Sequence, residues 1–281
     1  MPALKAAKRN LDAEIFSVVK PALVPILTAS GLIDGFISKD SSFFELVKKL
    51  KAAKFNKAVL FSESPFSVMS AYFSGIKELT GFETASLSFL LDKKVKRTGV
   101  PSIFNNIRLG ESLGLKGVLP DYADIIKIPA ENEKNIDAWL CKRRIDFVIA
   151  PGASKNRSSK SLTPLQWGEI IKAARAKNLN AVLAGAVWEK EYFEYIIKSS
   201  GAVADIFVSE NGILDNAALY KRIGKVVGPD SGAAHLAASV GAKCFVIFGD
   251  TDPAQTGPLP TGKHVIMKKD SMTPEDIVSK L

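Results

Sequence analysis

The chain has 281 residues, 47% of them hydrophobic and 24% charged, with a formal net charge of +9. That composition is that of a soluble globular protein with room for two domains. No apolar run approaches the ~20 residues that span a bilayer, no charged-then-apolar leader opens the chain, and two cysteines, Cys141 and Cys244, exclude a disulfide framework and show no metal-ligand spacing.

In chain order the pattern predicts helix 2–10, strand 14–19, helix 21–29, strand 34–38, helix 42–53, strand 57–61, helix 65–74 and helix 102–113. After a polar, irregular stretch over 121–137 it resumes with strand 147–150, helix 164–177, strand 181–184, helix 189–199, strand 204–208, helix 214–223, strand 225–228, helix 231–240, strands 244–248 and 264–267, and helix 273–280. Strands alternating with helices mean βαβ units and parallel sheets. Strands that are apolar throughout, such as Cys244-Phe245-Val246-Ile247-Phe248, suit a sheet covered on both faces. The polar stretch suggests two domains, 1–140 and 141–281. Two such units facing one another would leave a ligand cleft at the carboxyl ends of their strands.

Two features stand apart. The first element is a helix, with Pro2 in its first turn, where a doubly wound domain ordinarily opens with a central strand. Without that strand, its neighbours expose unpaired backbone groups. The cluster Lys93-Lys94-Val95-Lys96-Arg97 reads as a solvated loop, with contact to an anionic head group or acceptor phosphate as the alternative. The charge is spread over both halves, so it suits a phosphorylated small molecule, an anionic membrane surface or nucleic acid; no motif or aromatic-basic interleaving supports nucleic acid.

The chemistry concentrates where strands hand over to helices. Val226-Val227-Gly228-Pro229-Asp230-Ser231-Gly232-Ala233-Ala234-His235 reads as strand, tight turn and helix start. Free N–H groups at such a start, with the positive end of the helix dipole behind them, form an anion site suited to phosphate. Asp230 or Ser231 can cap the helix; an Asp aimed at a diphosphate would repel it, so its carboxylate is expected to turn into the cap or the loop. Ser231, Gly232 and Ala233 would present N–H groups, and Gly232 allows close approach. An ordinary capped helix is the plainer reading. His235, one of two histidines, either donates to a phosphate oxygen or is a partly buried helix residue.

A second loop, Pro151-Gly152-Ala153-Ser154-Lys155-Asn156-Arg157-Ser158-Ser159-Lys160, leads to a helix begun by Thr163-Pro164. Lys160 or Arg157 could neutralise a diphosphate there, or the loop is simply basic and solvated. A third, from Phe248 to Pro258 and including Thr251, is turn-rich. Asp215, opening helix 214–223, could hold a ribose hydroxyl or be a first-turn Asp favoured by the dipole. No GxGxxG, P-loop, catalytic Ser–His–Asp or CxxC pattern is present.

These loops, in this order, resemble glycosyltransferase family 9, the bacterial lipopolysaccharide heptosyltransferases. The resemblance rests on Pro151-Gly152-Ala153-Ser154 with Lys160-Ser161-Leu162-Thr163, on Asp215-Asn216-Ala217-Ala218-Leu219, on Asp230-Ser231-Gly232-Ala233-Ala234-His235-Leu236-Ala237-Ala238, and on Phe248-Gly249-Asp250-Thr251-Asp252-Pro253. It is firm over 145–260 and weaker before. It implies a GT-B fold of two Rossmann-like domains, a C-terminal one binding a nucleotide sugar such as ADP-heptose and an N-terminal one binding a lipid-linked or lipopolysaccharide-core acceptor. It also implies inversion at the anomeric carbon, no metal and no cofactor beyond the donor, and work in the cytoplasm or at the inner face of the bacterial inner membrane. By the same analogy Gly152, Ala153, Ser154, Lys160, Asp230, the Ser231, Gly232 and Ala233 amides, His235 and Thr251 would line the donor site. Asp215 would meet the ribose, where the family has the longer Glu. The family's first strand and the Gly-Asp loop carrying its catalytic base have no match, so the base is expected upstream of Met1. The alternatives are a catalytically impaired nucleotide-sugar binder and, third, a sugar-nucleotide epimerase.

Overall fold

The computed structural model describes residues 1–99, 101–115, 121–152, 161–260 and 262–281. The chain divides into two compact units, 1–120 and 121–281.

The first unit runs α1 (Pro2–Asn10), β1 (Phe16–Val19), a 3-10 turn leading into α2 (Val24–Ser30), β2 (Gly35–Ser38), α3 (Phe43–Ala53), β3 (Lys57–Leu60), α4 (Pro65–Phe73), β4 (Glu78–Phe82), β5 (Lys93–Val95) and α5 (Ser102–Glu111). Local chemistry fixes the helix ends. The Ser42 side chain accepts the Glu45 N–H to start α3, and the Ser64 side chain accepts the Ser67 N–H to start α4. Gly31, at φ 63°, closes α2 in the left-handed conformation that glycine adopts without strain. Among the described residues the strands form two separate parallel sheets, β1–β2 and β3–β4–β5. Pairing runs from Phe16 opposite Gly35, from Lys57 opposite Glu78, and from Thr80 opposite Lys93. Val68, Ala71, Ile76, Leu79 and Leu91 form the core beneath the three-stranded sheet.

Two strands here escape the sequence pattern. β4 interrupts its apolar residues with Thr80 and Gly81, and β5 is Lys-Lys-Val. The expectation of a solvated loop for the basic cluster is therefore corrected. Lys93–Val95 is a charged edge strand, a form that discourages pairing with another chain. Lys93 pairs with Glu78 at 2.9 Å, while Arg97 pairs with Glu63 at 2.9 Å and lies over the Phe82 ring.

The second unit runs α6 (Ala130–Leu140), β6 (Phe147–Ile149), α7 (Pro164–Ala176), β7 (Ala181–Ala186), a 3-10 turn (Val187–Glu189), α8 (Lys190–Ser200), β8 (Asp205–Ser209), α9 (Ile213–Ile223), β9 (Lys225–Pro229), α10 (Gly232–Ser239), β10 (Lys243–Phe248), α11 (Pro253–Thr256), β11 (Val265–Lys268) and α12 (Pro274–Lys280). Its six strands are parallel in the order β11-β10-β9-β6-β7-β8. On one face Trp167 and Ile170 of α7, Phe193 and Ile196 of α8 and Ile277 of α12 bury Phe147, Ile149, Phe245 and Ile247; α9 and α10 pack on the other. Both faces are covered, which is why these strands carry no polar alternation.

The unit begins at Asp121, about twenty residues before the expected boundary of 140/141. The segment read as irregular contains α6, which buries only Ile136 and so shows no apolar period. It belongs to the second unit because α6 packs on α9 and the Ile125 N–H bonds the Ser239 carbonyl.

Candidate functional site

Strand order locates the site before any side chain is considered. From β6 the chain winds outward through β7 and β8, then returns to β6's other side and winds through β9, β10 and β11. The reversal lies between β6 and β9, and in an open parallel sheet the crevice outside the carboxyl ends at such a reversal is where ligands bind. Pro151 and Gly152 follow β6; Asp230 and Ser231 follow β9.

The turn after β9 leaves a helix amino end uncapped. Ser231 is the N-cap of α10 in extended conformation, and no side chain caps the helix. Of the two places expected for the Asp230 carboxylate, the cap and the loop, the structure shows the loop. Asp230 Oδ2 instead accepts hydroxyl protons from Thr251 and Thr256, each at 2.9 Å. The loop after β10 therefore draws the carboxylate aside, while the first N–H groups of α10 have no partner within the helix. Ser231 Oγ is buried without a hydrogen bond. A Cβ on Gly232 would meet nothing within 4 Å, so the space over the helix end is open. Asp252 keeps the neighbouring loop in register by capping α11 through the Ala254 N–H at 3.0 Å.

His235, in the first turn of α10, is held by protein through its ring. Its Nδ1 lies 2.7 Å from the Tyr122 hydroxyl, which also accepts the Leu259 N–H at 3.1 Å. Burial pushes the Tyr122 hydroxyl up to about 12, so it keeps its proton and donates it to Nδ1. The Thr256 backbone also acts on the imidazole. Burial lowers the His235 pKa below the ordinary value, with the Asp230 charge and the Thr256 bond opposing. The arrangement favours the reading of His235 as a partly buried helix residue that ties α10 to 122 and 256–259.

Asp215 lies in α9, 3% exposed, and its Oδ1 accepts the Asn132 side-chain N–H at 2.7 Å. Through this bond its carboxylate joins α9 to α6. Of the loop after β6, Gly152 is described; Ala153, Ser154, Arg157 and Lys160 lie outside the described residues. Past that loop the Ser161 hydroxyl donates to the Pro151 carbonyl at 3.1 Å, and Lys269 donates to the Ser161 carbonyl at 3.0 Å.

One carboxylate at the crevice was not singled out from the sequence. Glu189 ends the 3-10 turn after β7, and its Oε2 accepts the Ala186 N–H at 2.8 Å. A Cβ on Gly152 would fall 1.8 Å from Glu189 Oε1, and one on Gly185 would fall 2.4 Å from Oε2. Two glycines thus make room for one carboxylate between the ends of β6 and β7. Burial raises its pKa, and the Ala186 N–H only partly opposes this. The sequence signal was a Glu just past an apolar strand ending in Gly185-Ala186; what it lacked was Gly152, far away along the chain.

The family model described as glycosyltransferase family 9 (heptosyltransferase) matches residues 43–278. A comparison with curated proteins gave no match. Among solved structures, ADP-heptose lipopolysaccharide heptosyltransferase II of E. coli matches at 16% identity with a TM-score of 0.79, over 99% of this chain and 92% of that one. A glycosyl transferase family 9 protein from Veillonella parvula DSM 2008 matches at 15% and 0.81, over 96% and 81%. E. coli heptosyltransferase WaaC, solved with ADP, matches at 17% and 0.73, over 100% and 90%. At such identities the likeness establishes the fold, an α/β GT-B architecture with parallel sheets.

Proposed function

Because the chain belongs to glycosyltransferase family 9, we propose that it is an inverting, metal-independent transferase. It moves a sugar, heptose in this reading, from a nucleotide diphosphate donor to a lipopolysaccharide-core or similar saccharide acceptor. The observation that carries the donor site is the uncapped amino end of α10 at the reversal of strand order, with Asp230 held off it by Thr251 and Thr256. The neighbour solved with ADP supports an adenine nucleotide as the leaving group.

In this mechanism the acceptor hydroxyl oxygen attacks the anomeric carbon from the face opposite the nucleotide. The sugar–phosphate bond breaks, its electron pair leaves on the diphosphate, and the hydroxyl proton passes to a base on the acceptor side. Developing negative charge is stabilised by the Ser231, Gly232 and Ala233 amides and the helix dipole, fixed in place before reaction. The sequence adds Lys160 as a cation for the same diphosphate. Glu189, whose carboxylate lies between the ends of β6 and β7, accepts hydroxyl protons of the ribose in this reading. His235 steadies the helix end from behind. Contact with the inner face of the bacterial membrane would bring the enzyme to a lipid-linked acceptor.

Titration calorimetry with ADP tests the donor site. Gly232→Val fills the open space over the helix end at a position whose φ is not left-handed. Binding is expected to weaken at least tenfold with the circular dichroism spectrum unchanged; undiminished binding would place the nucleotide elsewhere. Release of ADP from ADP-heptose on adding acceptor tests transfer. Tight ADP binding without turnover reassigns the protein to the nucleotide-sugar binders.

A further inference from the structure

The first unit carries an exposed aromatic face whose role the donor site leaves open. α3 and α4 pack side by side, and a chain of rings crosses them. Phe44 touches Phe43 with centroids 5.5 Å apart, Phe43 touches Phe73 at 6.2 Å, and Phe73 touches Tyr72 at 5.6 Å. Phe66 joins through Phe43 at 5.9 Å. These rings are not core: Phe44 is 82% exposed, Phe73 56% and Tyr72 48%. A contiguous apolar patch of this kind marks an interaction surface.

Its charge pattern selects the occupant. Between Pro65 and Phe73 there is no charged residue at all, whereas α3 and its C-cap carry Lys48, Lys49, Lys51 and Lys54 against one acid, Glu45. Glu45 is committed to Lys49 at 2.8 Å. On a helix, positions i, i+4 and i+7 share a face, so Phe44, Lys48 and Lys51 form one stripe, and both lysines are exposed. Aromatic rings flanked by uncompensated lysines match a surface that is apolar beneath and anionic above. A second copy of the chain would suit it poorly, because two-fold pairing through this face sets one lysine row against the other.

We propose that the α3–α4 face docks the protein on anionic lipid bilayers, the rings entering the headgroup–acyl boundary and Lys48 and Lys51 meeting lipid phosphates. This inference rests on the membrane contact of the proposed function, to which it assigns a surface, and is independent of the donor site. It also moves membrane contact away from the 93–97 cluster, two of whose cations are held by Glu78 and Glu63.

The test is flotation of the full chain with vesicles of phosphatidylcholine alone and of three-to-one phosphatidylcholine–phosphatidylglycerol, at low and high salt. The chain is expected to float with the anionic vesicles and to detach in high salt. Phe44→Ser with Phe73→Ser should reduce flotation at least tenfold. Lys48→Gln and Lys51→Gln should each weaken it about fivefold at low salt, the worth of one lysine near an anionic surface. Tyr195→Ser, at a ring equally exposed on α8, should leave flotation unchanged. The lysine pair removes no apolar contact and keeps the test decisive should the serine pair not fold. Absence of flotation with wild type, or flotation indifferent to the lysine pair, overturns the proposal. So does sedimentation showing a dimer that the serine pair abolishes while vesicle binding persists, which assigns the face to a second copy.

Discussion

Replacing Gly152 by alanine puts a methyl group where the Glu189 carboxylate lies. The new Cβ would sit 1.8 Å from Oε1 and 2.9 Å from Cδ, so the carboxylate must leave. In leaving it gives up the 2.8 Å bond from the Ala186 N–H. A hydrogen bond to a charged group contributes roughly 1.5–3 kcal/mol, and an abandoned buried donor costs a similar amount. Rehydration of the carboxylate returns part of this, so the expected net loss is about 2 kcal/mol, or ~4–8 °C in Tm for a unit of this size. Urea denaturation of four proteins, wild type, Gly152→Ala, Glu189→Ala and the double variant, isolates the cause. With the glutamate gone, the methyl group meets no carboxylate and should cost less than ~0.5 kcal/mol, giving a coupling near 1.5 kcal/mol. Equal cost of Gly152→Ala in both backgrounds would refute the reasoning, since the glycine would then be required by something other than Glu189.

Glu189 also sets a pH dependence. Its folded pKa is raised, so the native state holds that proton more tightly than the unfolded chain. The associated stability is full below the ordinary carboxylate range and is lost as pH rises through the raised value. Glu189→Gln should therefore gain stability over wild type on going from pH 4 to pH 8, followed by chemical denaturation, while losing ADP affinity several-fold by calorimetry. The opposite sign holds for His235, whose folded pKa is lowered by burial. Stability should fall as pH drops below the ordinary histidine value near 6.5, and His235→Gln should flatten that fall. Tyr122→Phe strands both the His235 ring nitrogen and the Leu259 N–H, and a loss of about 2–3 kcal/mol is expected in denaturant titration. Thr251→Val removes one of two donors to Asp230; the freed carboxylate should weaken ADP binding about threefold to tenfold, and more at low salt than at high.

The sequence was most informative where one element carries its own signal. The apolar run of β10 and the Asp-Ser-Gly turn into α10 could be read directly, because strand period, glycine and helix start all lie within a dozen neighbouring residues. β5 could not, since Lys-Lys-Val becomes a strand only by pairing with β4. α6 was hidden because its partner α9 covers so little of it. The site divides the same way. The helix amino end is a local property, whereas the fate of a carboxylate depends on what the fold brings to it. Asp215 is claimed by Asn132, 83 residues away along the chain, and Glu189 is admitted by Gly152 after β6 and Gly185 in β7. Neither relation leaves a trace in spacing.

The separate sheets of the first unit bear on how the protein opens. Among the described residues four of its five strands are edge strands, against two of six in the second unit. An edge strand has no neighbour along one side to hold its amides closed, and breathing motions of low free energy gather in such regions. Amides of β1 and β3 should therefore exchange with deuterium by local opening, orders of magnitude faster than those of β6 and β9. The first unit would then be the more pliant of the two and the second the more rigid.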